Sequence, residues 1–476
     1  MKFKCRNLLI PIVFLAVVIG SFVTLVGPWP TYKSGFKDKH YYKDAIAAIE
    51  QHSKSSSQSS PRGVPKTAIG RLEAGWSSCS ITPPIGTPLA GFGDRKGKPS
   101  TGVHDEIFVK ALTVSDGTDK AVIVGADMLI VPENVAELVC IRVSEQTTLT
   151  ANDILFNASH NHSGPGAFAP GLASKAFSGT YDPNIPIFLA GAFTEAIVKS
   201  CRSLEPAKLM HGSVDAPEYI RNRTRKDGTV DSTLSYMLIE QQDGDRCFLV
   251  SYSAHPTILG ADNMQFTGEY PGFLMRRIKE QTGAEAIYLG GSVGSMSPRS
   301  PEGGDPFDRC RAMGTALADK VLEAVVDTSL FKDKVDVASI GIPIRLPPFQ
   351  LRLNENWRLS KFLFPVLGID SDGWMHTVRI GDVALVGTPS DFCGEISVDL
   401  KLQMKNRVGN LWVLSFNGDY AGYISPDRYY YDKDEKGGYG YERGLMSWIG
   451  PDQEAFTVSL IMHMIDVLFP DSHKSL

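Results

Sequence analysis

The sequence predicts one large domain of the mixed α/β class, with mixed sheets and flanking helices, behind an N-terminal apolar segment. From about residue 69 to the C-terminus, apolar strand-like runs alternate with helical patterns. Strands and helices do not follow a strict βαβ order, and this region contains neither an internal repeat nor a linker. These observations favour a single domain, residues 69–476, built on at least one mixed sheet.

Composition and charge narrow the class of protein. Hydrophobic residues make up 43% of the 476 residues and charged residues 21%, which is typical of a globular chain with an ample buried core. The net charge of -5 gives no electrostatic reason to expect nucleic acid as a partner. The seven cysteines are scattered without a Cys-x-x-Cys pair, which excludes a zinc ribbon and a disulfide-stapled miniature fold. One or two disulfides remain compatible with an exported domain.

The N-terminus predicts a membrane anchor over residues 1–30. Three basic residues precede a nearly uninterrupted apolar run, 8–26, which is about long enough to cross a hydrocarbon core as a helix. The cations favour the cytoplasmic side, so the rest of the chain is expected to be extracytoplasmic, either periplasmic or extracellular. A cleaved signal peptide is the alternative, but the bulky, Pro-rich stretch 26–32 lacks a clear cleavage site.

Residues 31–68 are predicted to join this anchor to the domain. A short helix is expected over 39–51, with Ala45, Ile46 and Ile49 on one side. The Ser-rich stretch 53–62 is interpreted as a flexible linker.

Each element of the domain is predicted from the periodicity of its apolar residues. Short apolar runs that end in polar loops are interpreted as strands, and longer stretches with helical spacing as helices. The predicted strands are 107–114, 121–124, 154–156, 248–252, 286–289, 335–344 and 383–386. The predicted helices are 133–146, 186–201, 311–326 and a closing helix at 451–469.

Histidines follow two of these strands. His160 and His162 come directly after strand 154–156, and two imidazoles at i and i+2 of an extended segment share one face, as a metal ion requires. His255 follows strand 248–252, and strand ends are where ligands gather in α/β proteins. Alone, each motif also fits a histidine that is simply hydrogen-bonded in a loop or to a backbone carbonyl. Together they favour a metal site.

A serine motif follows the strand at 286–289. The segment 290–294 matches the G-x-S-x-G pattern of a serine hydrolase, with Ser292 as the nucleophile. That motif needs a strand, a sharp turn and then a helix, whereas the prolines and glycines at 298–306 cannot open a helix promptly. Serine-hydrolase chemistry therefore remains an alternative, beside an ordinary Gly/Ser loop.

Two late segments add candidate groups. Asp391 comes just after the strand 383–386 and Glu395 lies four residues on, although a lone acid in such a place is usually a solvated turn residue. Tyr423 and Tyr441 belong to a tyrosine-rich region that fits packing or a ligand groove.

Taken in order along the chain, these motifs resemble the neutral/alkaline non-lysosomal ceramidase family, in its N-terminal catalytic domain. The resemblance extends from about residue 69 to near the C-terminus. It is carried by Ile81-Thr82-Pro83-Pro84, Ala126-Asp127, the block from His160 to Gly166, Asn222-Arg223, His255-Pro256-Thr257 and the loop from Gly294 to Pro298.

The resemblance implies a zinc-dependent hydrolase of linear amides. The implied reaction cleaves an N-acyl lipid such as ceramide to a fatty acid and a sphingoid base with zinc-activated water, and another small amide is a close alternative substrate. The implied zinc ligands are His160, His255, Asp391 and Tyr423, with Glu395 as the alternative carboxylate. The implied groups around the reacting carbonyl are His162, Arg223, Ser297 and Tyr441.

The chain departs from the family pattern at three points. Asp391 is shorter than the usual Glu, Ser295 replaces an Asp, and the spacing from Tyr423 to Tyr441 is longer. A non-catalytic lipid-binding scaffold is therefore a second alternative, which the retained histidines oppose. Three glycosylation sequons, at Asn157, Asn161 and Asn222, overlap the predicted site and are interpreted as coincidental.

Overall fold

Helices and strands alternate along the chain without a regular order. The computed structural model describes residues 3–58, 70–325, 327–354, 356–369, 371–433 and 437–470. The helices in these ranges are α1 (Phe3–Leu25), α2 (His40–Gln58), α3 (Glu133–Ser144), α4 (Leu172–Ser178), α5 (Asn184–Arg202), α6 (Glu269–Thr282), α7 (Pro306–Ala324), α8 (Phe364–Leu367), α9 (Gly394–Met404) and α10 (Gln453–Leu468).

Most strands belong to two mixed sheets. The larger sheet, in chain order, contains β2 (Glu73–Ser80), β4 (Phe108–Ser115), β5 (Lys120–Ala126), β6 (Ile154–Ala158), β7 (Glu205–Asp215), β9 (Thr233–Gln241), β10 (Arg246–Tyr252) and β12 (Glu285–Gly290). Its spatial order is β12-β10-β9-β7-β2-β4-β5-β6. The outermost pairs, β10 with β12 and β5 with β6, are parallel and the inner pairs are antiparallel.

The smaller sheet contains β14 (Val337–Arg345), β16 (Asp372–Ile380), β17 (Val383–Gly387) and β19 (Asn410–Leu414), in that order, with β17 and β19 parallel. Four short two-stranded pairs complete the strands. They are β1 (Trp29–Pro30) with β15 (Trp357–Arg358), β3 (Gly102–Val103) with β11 (Gln265–Phe266), β8 (Ile220–Asn222) with β13 (Met296–Pro298), and β18 (Asp391–Phe392) with β20 (Tyr423–Ile424).

The two sheets pack face to face between two layers of helices. Alternate residues of each strand point to opposite faces, so Leu249 of β10 joins the core shared with Leu385 and Trp412 of the smaller sheet. The outer face of the larger sheet is covered by α3, α5, α6 and α7, and that of the smaller sheet by α2, α9 and α10. The predicted mixed α/β class is confirmed.

The larger sheet curls until its edge strands meet. Gly290 at the end of β12 approaches β6 so closely that an added Cβ would lie 2.5 Å from the carbonyl oxygen of Ala158. Asn157 of β6 bridges the two edges: its Nδ2 donates to Gly290 O (3.1 Å) and its Oδ1 accepts from Gly290 N–H (2.7 Å). The same Nδ2 donates to Ser415 O (2.7 Å), just after β19 of the second sheet. One buried amide thus joins three strand ends.

The predicted elements coincide with observed ones to within a few residues. The largest difference is the helix predicted over 39–51, which continues to Gln58. The helix predicted at 311–326 begins at Pro306, because the Asp305 side chain accepts from the N–H groups of Phe307 and Asp308 and so caps it. Helices α6 and α9, which flank the site, were not among the predicted helices.

The N-terminal prediction needs correction. Among the residues that the structure describes, no helix is both long enough and apolar enough to cross a membrane, so the anchor predicted over residues 1–30 is not supported. The expected linker is also partly wrong, because α2 continues to Gln58, and Tyr42 and Ile49 of this helix are buried against the smaller sheet. Residues 59–69 lie outside the described residues. They include the rest of the predicted linker and the predicted domain boundary.

We expect Asn157→Ala to lower the free energy of unfolding by about 2–4 kcal/mol, because three buried hydrogen bonds lose their side-chain partner. Urea unfolding followed by circular dichroism measures the change. The matched control is Asn184→Ala, an exposed asparagine whose loss should cost less than about 0.5 kcal/mol. Equal stabilities of the two variants would contradict the bridging role.

Candidate metal centre and cavity

The candidate site lies where strand ends of both sheets converge. His160 is two residues beyond β6, His255 is three beyond β10, and the loop 291–295 leaves β12. Asp391 opens β18 shortly after β17 of the smaller sheet and pairs with Tyr423 of β20. Because parallel neighbours end at the same edge of a sheet, residues far apart in sequence meet here.

His160 is held in one orientation. Its Nδ1–H donates to Leu129 O (2.8 Å), and its ring stacks on Phe416 with centroids 4.2 Å apart. Its backbone adopts φ +63°, an uncommon conformation for a non-glycine residue that tends to persist at functional sites. Burial lowers the pKa of His160 to about 3. The imidazole is therefore neutral, with an unprotonated Nε2.

His255 is oriented in the same way. Its Nδ1–H donates to Val293 O (2.7 Å), in the loop that follows β12. Burial, and then the nearby charge of Arg223, hold its pKa well below the usual value. A backbone carbonyl on Nδ1 is the usual partner of a histidine that ligates a metal through Nε2.

Asp391 faces both unprotonated nitrogens. Its Oδ1 lies 3.4 Å from His160 Nε2 and 3.5 Å from His255 Nε2, and no hydrogen bond reaches this buried oxygen. Its Oδ2 accepts from Tyr420 OH (2.6 Å). Burial raises the pKa of Asp391 to about 7, although Tyr420 and Arg223 act in the opposite direction. Three potential ligand atoms thus face one another with no hydrogen bond between them, and a metal ion would satisfy them.

His162 completes a cluster of three imidazoles. One potential ligand nitrogen from each of His160, His162 and His255 lies within 4.8 Å of the other two. Both ring nitrogens of His162 are buried without a hydrogen bond. The ring contacts Phe92 (centroids 4.6 Å apart) and fits against Gly91, where an added Cβ would lie 2.5 Å from its Cγ. Any side chain at position 91 would displace the histidine.

Arg223 provides a fixed positive charge beside the histidines. Its Nη2 donates to Tyr423 OH (3.0 Å) and Gly294 O (2.9 Å) and lies 3.3 Å from His255 Nε2. Its Nε lies 3.0 Å from Glu442 Oε1. Burial alone would lower the pKa of Arg223, but the electrostatic effects of Tyr423, Glu442 and Asp391 raise it, so the guanidinium stays charged.

These groups line a cavity of about 970 Å³ whose remaining wall is mostly apolar. Tyr423 and Tyr441 line it beside the histidines. The apolar wall includes Phe92, Leu129, Ile130, Phe168, Phe177, Ile369, Met446 and Trp448. A long apolar chain attached to a polar linkage fits such a cavity.

Three candidates from the sequence lie apart from this cluster. Ser297 is half-buried on β13 opposite Arg221 and does not line the cavity, so its role stays a prediction. Glu395 has both oxygens engaged, because Asn222 Nδ2 donates to one (2.6 Å) and Ser295 Oγ to the other. Ser292 is fully buried and donates to Val413 O (3.0 Å), away from the cavity.

Two residues of the site escaped the sequence-based interpretation. Tyr420 orients Asp391, and Glu442 pairs with Arg223. Both adjoin motifs that were singled out, since Tyr420 opens the segment that contains Tyr423 and Glu442 follows Tyr441. Proximity in sequence was their only signal.

The sequons and cysteines fit a buried site without disulfides. Asn157, Asn161 and Asn222 are all buried, in keeping with the interpretation that their sequons are coincidental. The six cysteines whose side chains the structure describes are free thiols: Cys79, Cys140, Cys201, Cys247, Cys310 and Cys393.

Fold and site together define a mixed α/β protein with a candidate metal centre at its strand ends. Residues 73–289 match the family model of neutral/alkaline non-lysosomal ceramidase, N-terminal. Neutral ceramidase A of Dictyostelium discoideum is 24% identical over 246 residues, which are 48% of this chain and 33% of that protein. The chain thus aligns with about a third of the length of this relative.

Two solved structures share the fold. The neutral ceramidase from Pseudomonas aeruginosa superposes with a TM-score of 0.69 at 16% identity, over 83% of this chain and 74% of that one. A ceramidase complexed with C2 superposes equally well, with a TM-score of 0.69 at 16% identity over 84% and 75% of the two chains. The resemblance predicted from the motifs is confirmed by the match of residues 73–289 to the N-terminal region of the neutral/alkaline non-lysosomal ceramidases.

We expect the purified full chain to retain about one metal ion. His160→Ala and Asp391→Asn should lose it, because each removes a donor from the set that faces one point. Elemental analysis after dialysis measures the metal content. His211→Ala is the matched control, since His211 pairs with Asp382 elsewhere.

A further variant separates two overlapping donor sets. If the ligands are His160, His255 and Asp391, His162→Ala should keep the metal; if they are the three imidazoles, it should lose it. Metal content equal in wild type, His160→Ala and Asp391→Asn would rule out the site.

Proposed function

We propose that this chain is a zinc-dependent amide hydrolase that cleaves an N-acyl lipid such as ceramide to a fatty acid and a sphingoid base. The observation that supports this proposal best is the buried Asp391 Oδ1, which faces the unprotonated Nε2 atoms of two histidines at the end of an apolar cavity. The family match supports the reaction class.

Nitrogen and carboxylate donors of this kind fit zinc. In this proposal His160, His255 and Asp391 hold the metal, and Tyr423 is the fourth ligand that the family resemblance implies. Bound there, zinc supplies a water of lowered pKa and a Lewis acid for the amide carbonyl. The chain's own contribution is the fixed direction of these donors, set by Leu129 O, Val293 O and Tyr420 OH.

Arg223 and His162 act on the reacting amide. The guanidinium of Arg223 is charged before the reaction begins, so it stabilises negative charge that develops on the carbonyl oxygen without reorganisation. His162 is neutral, since burial holds its pKa well below the usual value, and its ring nitrogens have no partner in the described structure. We assign to this imidazole the transfer of a proton from the attacking water to the leaving amine. Tyr441, at the cavity wall, offers a further hydroxyl donor.

The cavity supports a lipid substrate over a small polar amide. A volume of about 970 Å³ with a largely apolar wall buries an acyl chain, while the polar groups gather at one end. We also propose an extracytoplasmic location for the domain, which rests on the basic and apolar pattern of the N-terminus alone. Burial of Ser292 away from the cavity argues against the serine-hydrolase alternative.

We expect the full chain to release fatty acid from an N-acylsphingosine, to lose this activity with a zinc chelator, and to regain it when zinc is added back. Liquid chromatography of the products measures the reaction. Ser292→Ala should keep the activity, and a serine-directed reagent should not inhibit it. Activity that survives the chelator but disappears in Ser292→Ala would replace this mechanism with serine chemistry. A chain that binds zinc but shows no activity would favour the alternative of a non-catalytic lipid-binding scaffold.

We expect Arg223→Gln to lower kcat by about 10²–10³-fold, because a preorganised charge at the developing oxyanion is lost. Its zinc content should stay at the wild-type value, which distinguishes this role from metal ligation. The matched control is Arg221→Gln, an exposed neighbour on the same short strand. A wild-type kcat in Arg223→Gln would remove Arg223 from the mechanism.

A further inference from the structure

Exposed apolar side chains stand beside the wall of the cavity. Leu172 opens α4, between Gly171 and Ala173, which both line the cavity, and Val366 of α8 directly follows Pro365, another wall residue. Leu172 is 60% exposed and Val366 63%. Phe362, just before α8, is 55% exposed. None of the three lines the cavity.

Helices α4 and α8, which carry Leu172 and Val366, touch each other at the cavity. An added Cβ on Gly171 would lie 3.0 Å from the Cα of Gly368, and both glycines have positive φ, +101° and +73°. The backbones before α4 and after α8 are therefore in direct contact. Leu172 and Val366 consequently belong to one continuous surface around the cavity, although nearly two hundred positions of sequence separate them.

A ribbon with exposed aromatic residues leads into the segment that carries Phe362. The β1 and β15 ribbon places Trp29 opposite Arg358 and Pro30 opposite Trp357. Trp29 is 38% exposed, Tyr32 39% and Trp357 43%. Tryptophan and tyrosine are the residues enriched at the headgroup level of membranes, because their rings have an apolar body and a polar edge.

Helix α1 is fastened to the same surface. Ser360 Oγ donates to Thr24 O (2.7 Å) and Ser360 N–H to Val26 O (2.9 Å), two residues before Phe362. The described side chains of α1 include many exposed apolar ones: Ile10, Ile12, Val13, Phe14, Leu15, Val17, Val18, Ile19, Phe22, Val23 and Leu25. The apolar surface thus continues from the cavity mouth onto this helix.

We propose that this rim, defined as Leu172, Phe362, Val366, Trp29, Tyr32 and Trp357, docks the cavity mouth onto a lipid bilayer. The inference rests on the proposed function, since an N-acyl lipid resides in a bilayer and must reach the cavity from it. Charge agrees with this partner: Lys175 and Lys361 are exposed within three residues of Leu172 and Phe362 and attract anionic headgroups. Lysines are depleted at the centres of protein interfaces, which makes a protein partner the weaker fit.

Docking in this orientation gives the lipid a path that avoids water. The apolar side chains of the rim enter the boundary between headgroups and acyl chains, and the aromatic residues remain at headgroup level. An acyl chain then moves from the bilayer to the apolar wall of the cavity, which begins at the residues next to the rim. The polar linkage follows it to the histidines.

The test is sedimentation of the full chain with vesicles of phosphatidylcholine, with and without phosphatidylserine. We expect the wild type to bind, and more tightly when phosphatidylserine is present. The variant with Leu172→Asp, Phe362→Asp and Val366→Asp should bind at least about tenfold more weakly, because three apolar side chains no longer enter the bilayer. This variant keeps α1, so its loss of binding measures the rim itself.

The matched control carries Ile141→Asp, Ile187→Asp and Leu402→Asp, which replace side chains of similar exposure (58%, 53% and 68%) that do not line the cavity. Circular dichroism melts verify that both variants are folded. Binding of the control should equal that of the wild type. The proposal is overturned if the wild type does not bind vesicles, if the rim variant binds as well as the wild type, or if the control loses binding equally.

A second measurement separates this inference from the proposed function. The rim variant should lose at least about tenfold in hydrolysis of N-acylsphingosine in vesicles, but keep the wild-type rate on a water-soluble short-chain N-acyl amide. Vesicle binding without hydrolysis of either substrate would end the proposed function and leave the docking surface. Hydrolysis of both substrates at wild-type rates by the rim variant would support the proposed function and overturn the docking surface.

Discussion

The buried amide of Asn157 is the interaction on which the site depends most. It joins β6 to β12 through Gly290 and reaches Ser415 at the end of β19, so it fixes three strand ends relative to one another. His160 follows the first of these strands, and the carbonyl of Val293 that orients His255 follows the second. A planar amide with one acceptor and two donors can satisfy all three backbone groups, which no apolar side chain can do. The amide thus fixes the strand ends from which the loops around the histidines leave.

The donor atoms of the site converge on one point beside the charged Arg223. Two unprotonated nitrogens and an unpaired carboxylate oxygen face one another out of water, and hydrogen bonds from elsewhere prevent each of them from turning away. Burial favours the neutral form of His160 and His255, which keeps both histidines available as ligands. Such an arrangement is typical of a binding site, because a purely structural core would pair these atoms.

The segment after β20 shows how aromatic packing supports the charged groups of the site. Arg352 lies between the rings of Tyr430 and Tyr439, 4.0 Å from each centroid, and Arg225 lies 3.7 Å from the ring of Tyr429. These cation–π contacts hold the chain that brings Glu442 to within 3.0 Å of Arg223. Tyr429, Tyr430 and Tyr439 therefore act through packing, whereas Tyr420, Tyr423 and Tyr441 line the cavity. The longer spacing before Tyr441 is taken up by this packed segment.

The sequence by itself determined the class of the fold, the strands that precede the histidines and the family resemblance. Short stretches of neighbouring residues encode each of these features. It left open whether Asp391 or Glu395 faces the histidines, and it gave no sign that Asn157 closes the sheet. Its apolar N-terminus predicted an anchor that the described helices do not support. Only the tertiary structure decided these points, since hydrogen bonds between residues a hundred or more positions apart set which side chain turns inward. Periodicity predicts which face of an element is buried, but not which atom meets it from the opposite sheet.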